Sequence, residues 1–258
     1  NKDEHWAGKR KKHSDIIKEK REYLRIALIA KLSKQYTIHP VAENQKALWY
    51  IQSSNPDDYS YNLAFAVKIY DSINLDIFKA ALQLVFERHD ELRATFHFSG
   101  DAIEKHIPKY SELFFKLFPI NGLADEDVLQ IVKAKHREAF DLANGPLFKA
   151  YLFKKDDDGP SIFLLNINHI VIDGLSYWTL LKEISHVYAT LAHGQRLIIP
   201  PKPRSYDQFV QLQTATLSGT RGDEMLQYWL EQLQAKTEAL ALPYDKVRPP
   251  VKSTNGAS

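Results

Sequence analysis

The 258 residues include no cysteine and one methionine. The missing cysteine excludes a disulfide framework, thiolate metal sites and a cysteine nucleophile, and it leaves the redox compartment open. No uncharged apolar run approaches the ~20 residues that a membrane-spanning helix needs. No apolar stretch of a secretory signal follows Asn1-Lys2-Asp3-Glu4, so a cytoplasmic protein is expected. There is no Gly-rich phosphate loop, no Gly-x-Ser-x-Gly elbow and no His-x-x-x-His pair with zinc spacing. Asp156-Asp157-Asp158 reads as a solvated turn rather than a cation site. No metal is therefore expected.

What is present suits a folded body. Four Trp, 13 Tyr and 13 Phe can fill a core, and the chain length suits one large domain or two small ones. The net charge of +2 is unevenly placed: residues 1–34 hold 11 Lys/Arg against 5 Asp/Glu, and the remainder is mildly acidic. Nucleic-acid binding would need a basic surface on the body, so it is not expected. Lys9-Arg10-Lys11-Lys12 reads as a solvated linker.

From Asp15, a plausible N-cap, a helical pattern runs through Ile16, Ile17, Tyr23, Leu24, Ala27, Leu28 and Leu32, and its broad apolar face should dock on the body or on an upstream neighbour. Thr37-Ile38-His39-Pro40 breaks it. Residues 1–36 are thus a basic linker plus helix. The body then alternates strands and helices. A short helix is expected over 41–52, a strand over 61–70, a helix over 75–89 capped by Asn74, and a strand over 91–98, together a strand–helix–strand unit. A helix over 125–139 begins on three acids that suit its positive end. Strands over 147–154 and 161–169 and a helix over 176–192 follow. This is a mixed α/β layout with a buried central sheet flanked by helices, in a lobe spanning 37–193. Residues 194–258 read as a loop at 196–206, helices at 206–217 and 223–235, and a last stretch that reads as a crossing segment cut short.

The sharpest feature is Asn168-His169-Ile170-Val171-Ile172-Asp173-Gly174. It puts an imidazole at the end of an apolar strand, where sites of α/β folds tend to lie. Asp173 can orient that loop or pair with a cation. Gly174 allows a tight strand-to-helix turn and close approach of a substrate. A histidine at a strand end is also commonly a hydrogen-bonded structural residue, so spacing alone leaves both readings open.

The same segment resembles the His-His-x-x-x-Asp-Gly signature of the condensation domains of nonribosomal peptide synthetases. Four further stretches agree in order. Ala42-Glu43-Asn44-Gln45-Lys46-Ala47-Leu48-Trp49 is similar to the family's Ala-x-Gln-x-x-Leu-Trp, with one extra residue before the Gln. Arg88-His89-Asp90-Glu91-Leu92-Arg93-Ala94-Thr95-Phe96 is similar to Arg-His-Glu-x-Leu-Arg-Thr-x-Phe, with one inserted or shifted acid. Phe140-Asp141-Leu142 with Gly145-Pro146-Leu147 matches Phe-Asp-Leu…Gly-Pro-Leu. Ser205-Tyr206-Asp207-Gln208-Phe209, Tyr228-Trp229, Leu242-Pro243 and Arg248-Pro249-Pro250 match the segment after the active-site helix. The resemblance covers about residues 38–258.

The resemblance implies a chloramphenicol acetyltransferase-like α/β lobe, with the second lobe truncated here, so a fragment or a split protein is expected. It implies amide-bond formation by acyl transfer from a carrier-protein thioester to an acceptor amine. The partners implied are donor and acceptor carrier proteins and the rest of a modular synthetase. No cofactor is bound directly; the phosphopantetheine arms belong to the carriers. His169 would be the base or positioning residue, and the Gly174 N–H could help hold the oxyanion. Asp173 would form a structural ion pair, with Arg88 the first candidate and Arg93 the second. The family's first histidine is Asn168 here, and an asparagine keeps hydrogen-bonding capacity. Two alternatives stand beside this reading: a CoA-dependent acyltransferase of the same superfamily, and a non-catalytic docking module for carrier proteins. The basic leader with its helix is a docking element or an ordinary linker.

Overall fold

Apolar residues recur at helical spacing in two long segments, and these build the main core. The computed structural model describes residues 34–155, 159–198 and 204–234, together with residues 20, 22–28, 31, 32, 201, 243, 246 and 247. In chain order the elements are β1 (Tyr36–His39), α1 (Glu43–Ser54), β2 (Asn62–Ile69), α2 (Leu75–Arg88), a 3-10 turn (Asp90–Arg93), β3 (Thr95–Ser99), β4 (Ala102–Pro108), β5 (Phe114–Pro119), α3 (Asp125–His136), β6 (Phe148–Lys154), β7 (Ser161–Asn168), α4 (Gly174–Ala192), α5 (Tyr206–Leu217) and α6 (Thr220–Gln232). They fall into two units, Asn1–Ser205 and Tyr206–Ser258.

Four strands form a mixed sheet in the order β2-β7-β6-β5. The first two pairings are antiparallel and β5 runs parallel to β6. β7 is covered on both faces, which is why it reads as a continuous apolar run. One set of alternate residues, Phe163, Leu165 and Ile167, packs with Phe78, Leu82, Val85 and Phe86 of α2 and Leu180, Ile184 and Val187 of α4. On the opposite face Leu164, Tyr151 and Phe153 pack with Val128 and Val132 of α3. The result is three layers, helix–sheet–helix. Asn74 caps α2 by accepting from the N–H groups of Asp76 and Ile77, both at 3.1 Å. Two buried asparagines of the sheet serve the other end of α3. Asn62 Nδ2 donates to the carbonyls of His136 and Glu138, and Asn166 Nδ2 to those of Lys135 and His136. They satisfy carbonyls that a helix C-terminus leaves open.

The mixed sheet, its helices and the Asn74 cap match the expected layout, with three corrections. Segment 91–98 is not one strand: residues 90–93 form the 3-10 turn and pairing starts at Thr95. The cause is Arg93, whose guanidinium donates to the carbonyls of Phe86 and Glu87 and to Asp90, folding the turn back on α2. Nor do 61–70, 75–89 and 91–98 form a unit within one sheet. β3 pairs with β4 and β4 with β1, in a separate antiparallel sheet of order β1-β4-β3. Thr37-Ile38-His39 therefore does more than end a helix; it forms β1.

Residues 22–28 are helical as expected, but Tyr23, Leu24, Ile26 and Leu28 are exposed and do not dock on the body. The expected cap Asp15, the turn Asp156-Asp157-Asp158, and Leu242 and Arg248-Pro249-Pro250 lie outside the described residues. In the second unit α5 and α6 fall where two helices were expected, and α6 exposes Met225, Leu226, Tyr228, Trp229 and Leu230.

Phe96 of β3 is fully buried, whereas Phe98, two residues on, has passed the core edge and stacks on Trp49 at 55% exposure. Phe96→Ala is expected to lower the unfolding free energy by about 3–5 kcal/mol, and Phe98→Ala by about 1 kcal/mol or less. Denaturant midpoints of the two variants check this; a larger loss at Phe98 contradicts the packing.

Candidate functional site

β7 carries the chain through the core and delivers His169 one residue past its end. The backbone there is held from three sides. The Asn168 N–H donates to the Leu147 carbonyl (3.0 Å), the His169 N–H to the Tyr61 carbonyl (2.8 Å), and the Val171 N–H to the Asn168 carbonyl (3.2 Å). Asn168 is buried, and its Oδ1 accepts from the Ile170 N–H at 3.0 Å. The side chains of Ile170 and Val171 anchor the turn in the core. His169 itself is half-buried, and Asp173, Gly174, Leu175 and Ser176 after it are exposed. The imidazole thus stands at the surface on a turn whose neighbours are fixed.

Asp173 is the N-cap of α4. Its Oδ1 accepts from the Ser176 N–H at 2.7 Å. That bond holds its carboxyl below the usual carboxylate range, with further help from the Ser176 side chain and the nearby His169. Tyr177, fully buried one turn into the helix, donates its hydroxyl to the Leu165 carbonyl and fastens α4 to β7.

Among the described residues the expected ion pair of Asp173 with Arg88 or Arg93 is not made. Arg88 Nε lies 2.7 Å from Glu183 Oε1, and Arg88 Nη2 donates to the Pro201 carbonyl. Arg93 is taken by Asp90 and two carbonyls at the end of α2. Both arginines meet partners nearer than Asp173. Glu183 also binds His89 Nε2 at 2.6 Å, so one carboxylate of α4 gathers both residues of the Arg88-His89 motif. Gly174 is also not needed for a tight turn. Its φ is not positive, and a Cβ built there meets nothing within 4 Å. Its N–H, at the first helical position, has no acceptor within the helix.

Three of the quoted motifs meet near this turn, through Gln45, Glu91 and Leu147. Gly145, at φ +62°, needs glycine, and the Gly145-Pro146 bond is cis. Phe140, Leu142 and Leu147 are buried, and the Leu142 carbonyl accepts from Phe96 N at 2.7 Å. Spacing alone did not disclose Gln45 as a brace. It is buried, and its Nε2 donates to the Ile170 carbonyl at 3.0 Å. Tyr61 was missed too, since it acts through its carbonyl and no sequence signal marks that. An open cavity of about 750 Å³ lies elsewhere, lined by Tyr36, Arg93, His97, His106, Lys116 and Pro146 among others, and His169 does not border it. Among the described residues no cluster of three or more His, Asp or Glu could hold a metal ion, and no helix is long and apolar enough to cross a membrane.

A mixed sheet between helical layers, with an accessible histidine at a strand end beside a capped helix, fits the chloramphenicol acetyltransferase-like lobe that the resemblance implied. A family model of the condensation domain matches residues 35–258, and the chain belongs to that family. It is 33% identical over 222 residues to a linear gramicidin synthase protein of Brevibacillus parabrevis, covering 84% of this chain and 3% of that protein. It is 30% identical over 217 residues to the polyketide synthase PksN of Bacillus subtilis, covering 84% and 4%. Among solved structures, the starter condensation domain of rhizomide synthetase superposes with a TM-score of 0.70 at 23% identity, covering 78% of this chain and 49% of that one. The epimerization domain from the third module of tyrocidine synthetase B gives 0.68 at 23% identity, covering 82% and 48%. The chain therefore spans about half of those solved chains and a few per cent of those synthetases.

The cap predicts a modest stability role for Asp173. Asp173→Ala is expected to destabilise by about 1 kcal/mol, the scale of a lost N-cap. Because the folded carboxyl is held low, this contribution is present above its unfolded range near the ordinary carboxylate value and is lost as pH falls through the folded value. Thermal melts of both proteins from pH 7 to pH 2 check this; a gap that widens in acid contradicts it.

Proposed function

We propose that this chain is the histidine-bearing part of a unit that joins a carrier-bound acyl group to an acceptor amine. One observation carries the reading: His169 is half-exposed at the end of a strand that is otherwise almost wholly buried, four residues before the Asp173 cap of α4. The acceptor nitrogen attacks the thioester carbonyl carbon, the C–N bond forms, and the C–S bond breaks. The thiolate needs little acid help, because a thiol of pKa about 8.5 leaves readily. The attacking nitrogen must shed a proton, and His169 is placed to take it or to hold the amine in line. Asp173 then faces an imidazolium, a favourable sign of charge. Positioning supplies much of the rate, since effective molarities allow roughly 7–11 kcal/mol. The Gly174 N–H, with no acceptor in its own helix, suits a developing oxyanion. The phosphopantetheine thioesters are substrates here and arrive on donor and acceptor carrier proteins of a modular synthetase.

A second donor merits a parallel assay. A mutant of the rhizomide starter condensation domain, similar in fold to this chain, was solved in complex with C8-CoA. A soluble acyl-CoA is therefore a reasonable donor to set against an acyl-carrier thioester.

In the intact synthetase, His169→Ala is expected to lower amide formation at least ~100-fold, the scale of a lost general base. Turnover with carrier-loaded donor and acceptor, followed by product mass, is the check. Parental turnover by the variant overturns the role of His169. Product from acyl-CoA but not from the loaded carrier overturns the carrier-bound donor. Carrier binding with no product from either donor favours a docking module.

A further inference from the structure

Lys105 lies at the centre of the three-stranded sheet, and its side chain is completely buried. Burying an ammonium is expensive, and a buried ion pair is weak evidence of stabilisation, because apolar side chains of similar volume often do as well. Its presence asks for another account, and the hydrogen bonds supply one. Lys105 Nζ donates to Glu91 Oε1 at 2.6 Å. The other oxygen of Glu91 accepts from Gln45 Nε2 at 3.3 Å. Gln45 Nε2 also donates to the Ile170 carbonyl at 3.0 Å, while Gln45 Oε1 accepts from the Ala42 N–H at 3.2 Å. The amide is thus pinned at both ends, and its donor edge is aimed at the peptide one residue past His169.

The rest of that turn is already fixed. The peptide before His169 is held through its N–H by the Tyr61 carbonyl. The peptide after it is held through the Ile170 N–H by Asn168 Oδ1. The Ile170 carbonyl completes the set, and its partner alone depends on a charged relay from another sheet. With all three peptides bonded, the Cα–Cβ direction of His169 has little freedom.

We infer that Lys105, Glu91 and Gln45 form a relay, buried at both ends and partly exposed at Glu91, whose task is to position the His169 turn. Lys105 holds the Glu91 carboxylate, Glu91 orients the Gln45 amide, and Gln45 fixes the Ile170 peptide. None of these bonds is to the imidazole; the three are positioning residues. The kinetic consequence rests on the condensation reading above, but the structural consequence does not.

The test pairs two variants of the 258-residue chain with the same variants in the intact synthetase. Gln45→Met removes the bond to Ile170 at nearly constant volume. The double variant Lys105→Met with Glu91→Leu replaces the ion pair by apolar groups, so that folding survives where Lys105→Met alone would leave a carboxylate facing the core. Melting temperatures are read first. The imidazole signals of His169, assigned through His169→Gln, are then compared by ¹H–¹⁵N NMR. Both variants are expected to keep a cooperative melt and to move the His169 signals, while those of His186 on α4 and His193 just past its end stay in place. In the synthetase kcat should fall about 10- to 100-fold with KM nearly unchanged, as a misplacement of about 1 Å allows. Folded variants whose His169 signals coincide with the parent's overturn the relay. Moved signals, beside a parent synthetase that makes no amide, would instead leave the relay standing and remove the condensation reading.

Discussion

The site depends on one constraint, a strand buried on both faces that ends at solvent. β7 has β2 and β6 for neighbours, α2 and α4 above and α3 below. Such a strand cannot slip register without exchanging its two apolar sets. Where it ends is therefore fixed to the residue. His169 inherits that definition without contributing to the core, as the first side chain beyond it that water reaches. The exposed cap of α4 follows four residues later, and the four-residue spacing of the motif is the length of chain needed to turn from a buried strand into a helix start.

Charge is used in the same region mainly to join elements. Glu183 of α4 takes both Arg88 and His89 from the end of α2. Arg93 closes the turn after α2, and the Arg88 guanidinium reaches the Pro201 carbonyl beyond α4. These groups are partly or mostly buried, where a lost partner is felt more than at the surface. Residues of the Arg-His…Arg motif thus act as fasteners around the core, and Asp173 is left to cap α4.

The sequence disclosed elements whose pattern is self-sufficient. The stripe Phe78, Leu82, Val85 and Phe86 and the apolar run of β7 each announce their own structure, as does the cap at Asn74. The strands it missed lack such patterns. β1 is four residues long and mostly exposed, β4 carries Glu104, Lys105 and His106, and β5 is a short strand at one side of the sheet. They are strands because of what they pair with, which local propensity cannot report. The place of His169 at a strand end was legible, and the groups that brace its turn were not. Arg88 and Arg93 could not be assigned to a carboxylate by spacing, because their partners come from α4 and from main-chain carbonyls. Tyr61 and Ile170 act through backbone atoms, to which side-chain identity gives no access.

Gly174 separates two questions that usually travel together. Nothing in the fold requires its missing side chain: the backbone is ordinary, the space above it is empty, and alanine is the better helix former. A methyl group placed there would meet open space and leave the fold around α4 indifferent. A side chain larger than hydrogen at this one position is therefore a question the scaffold leaves open.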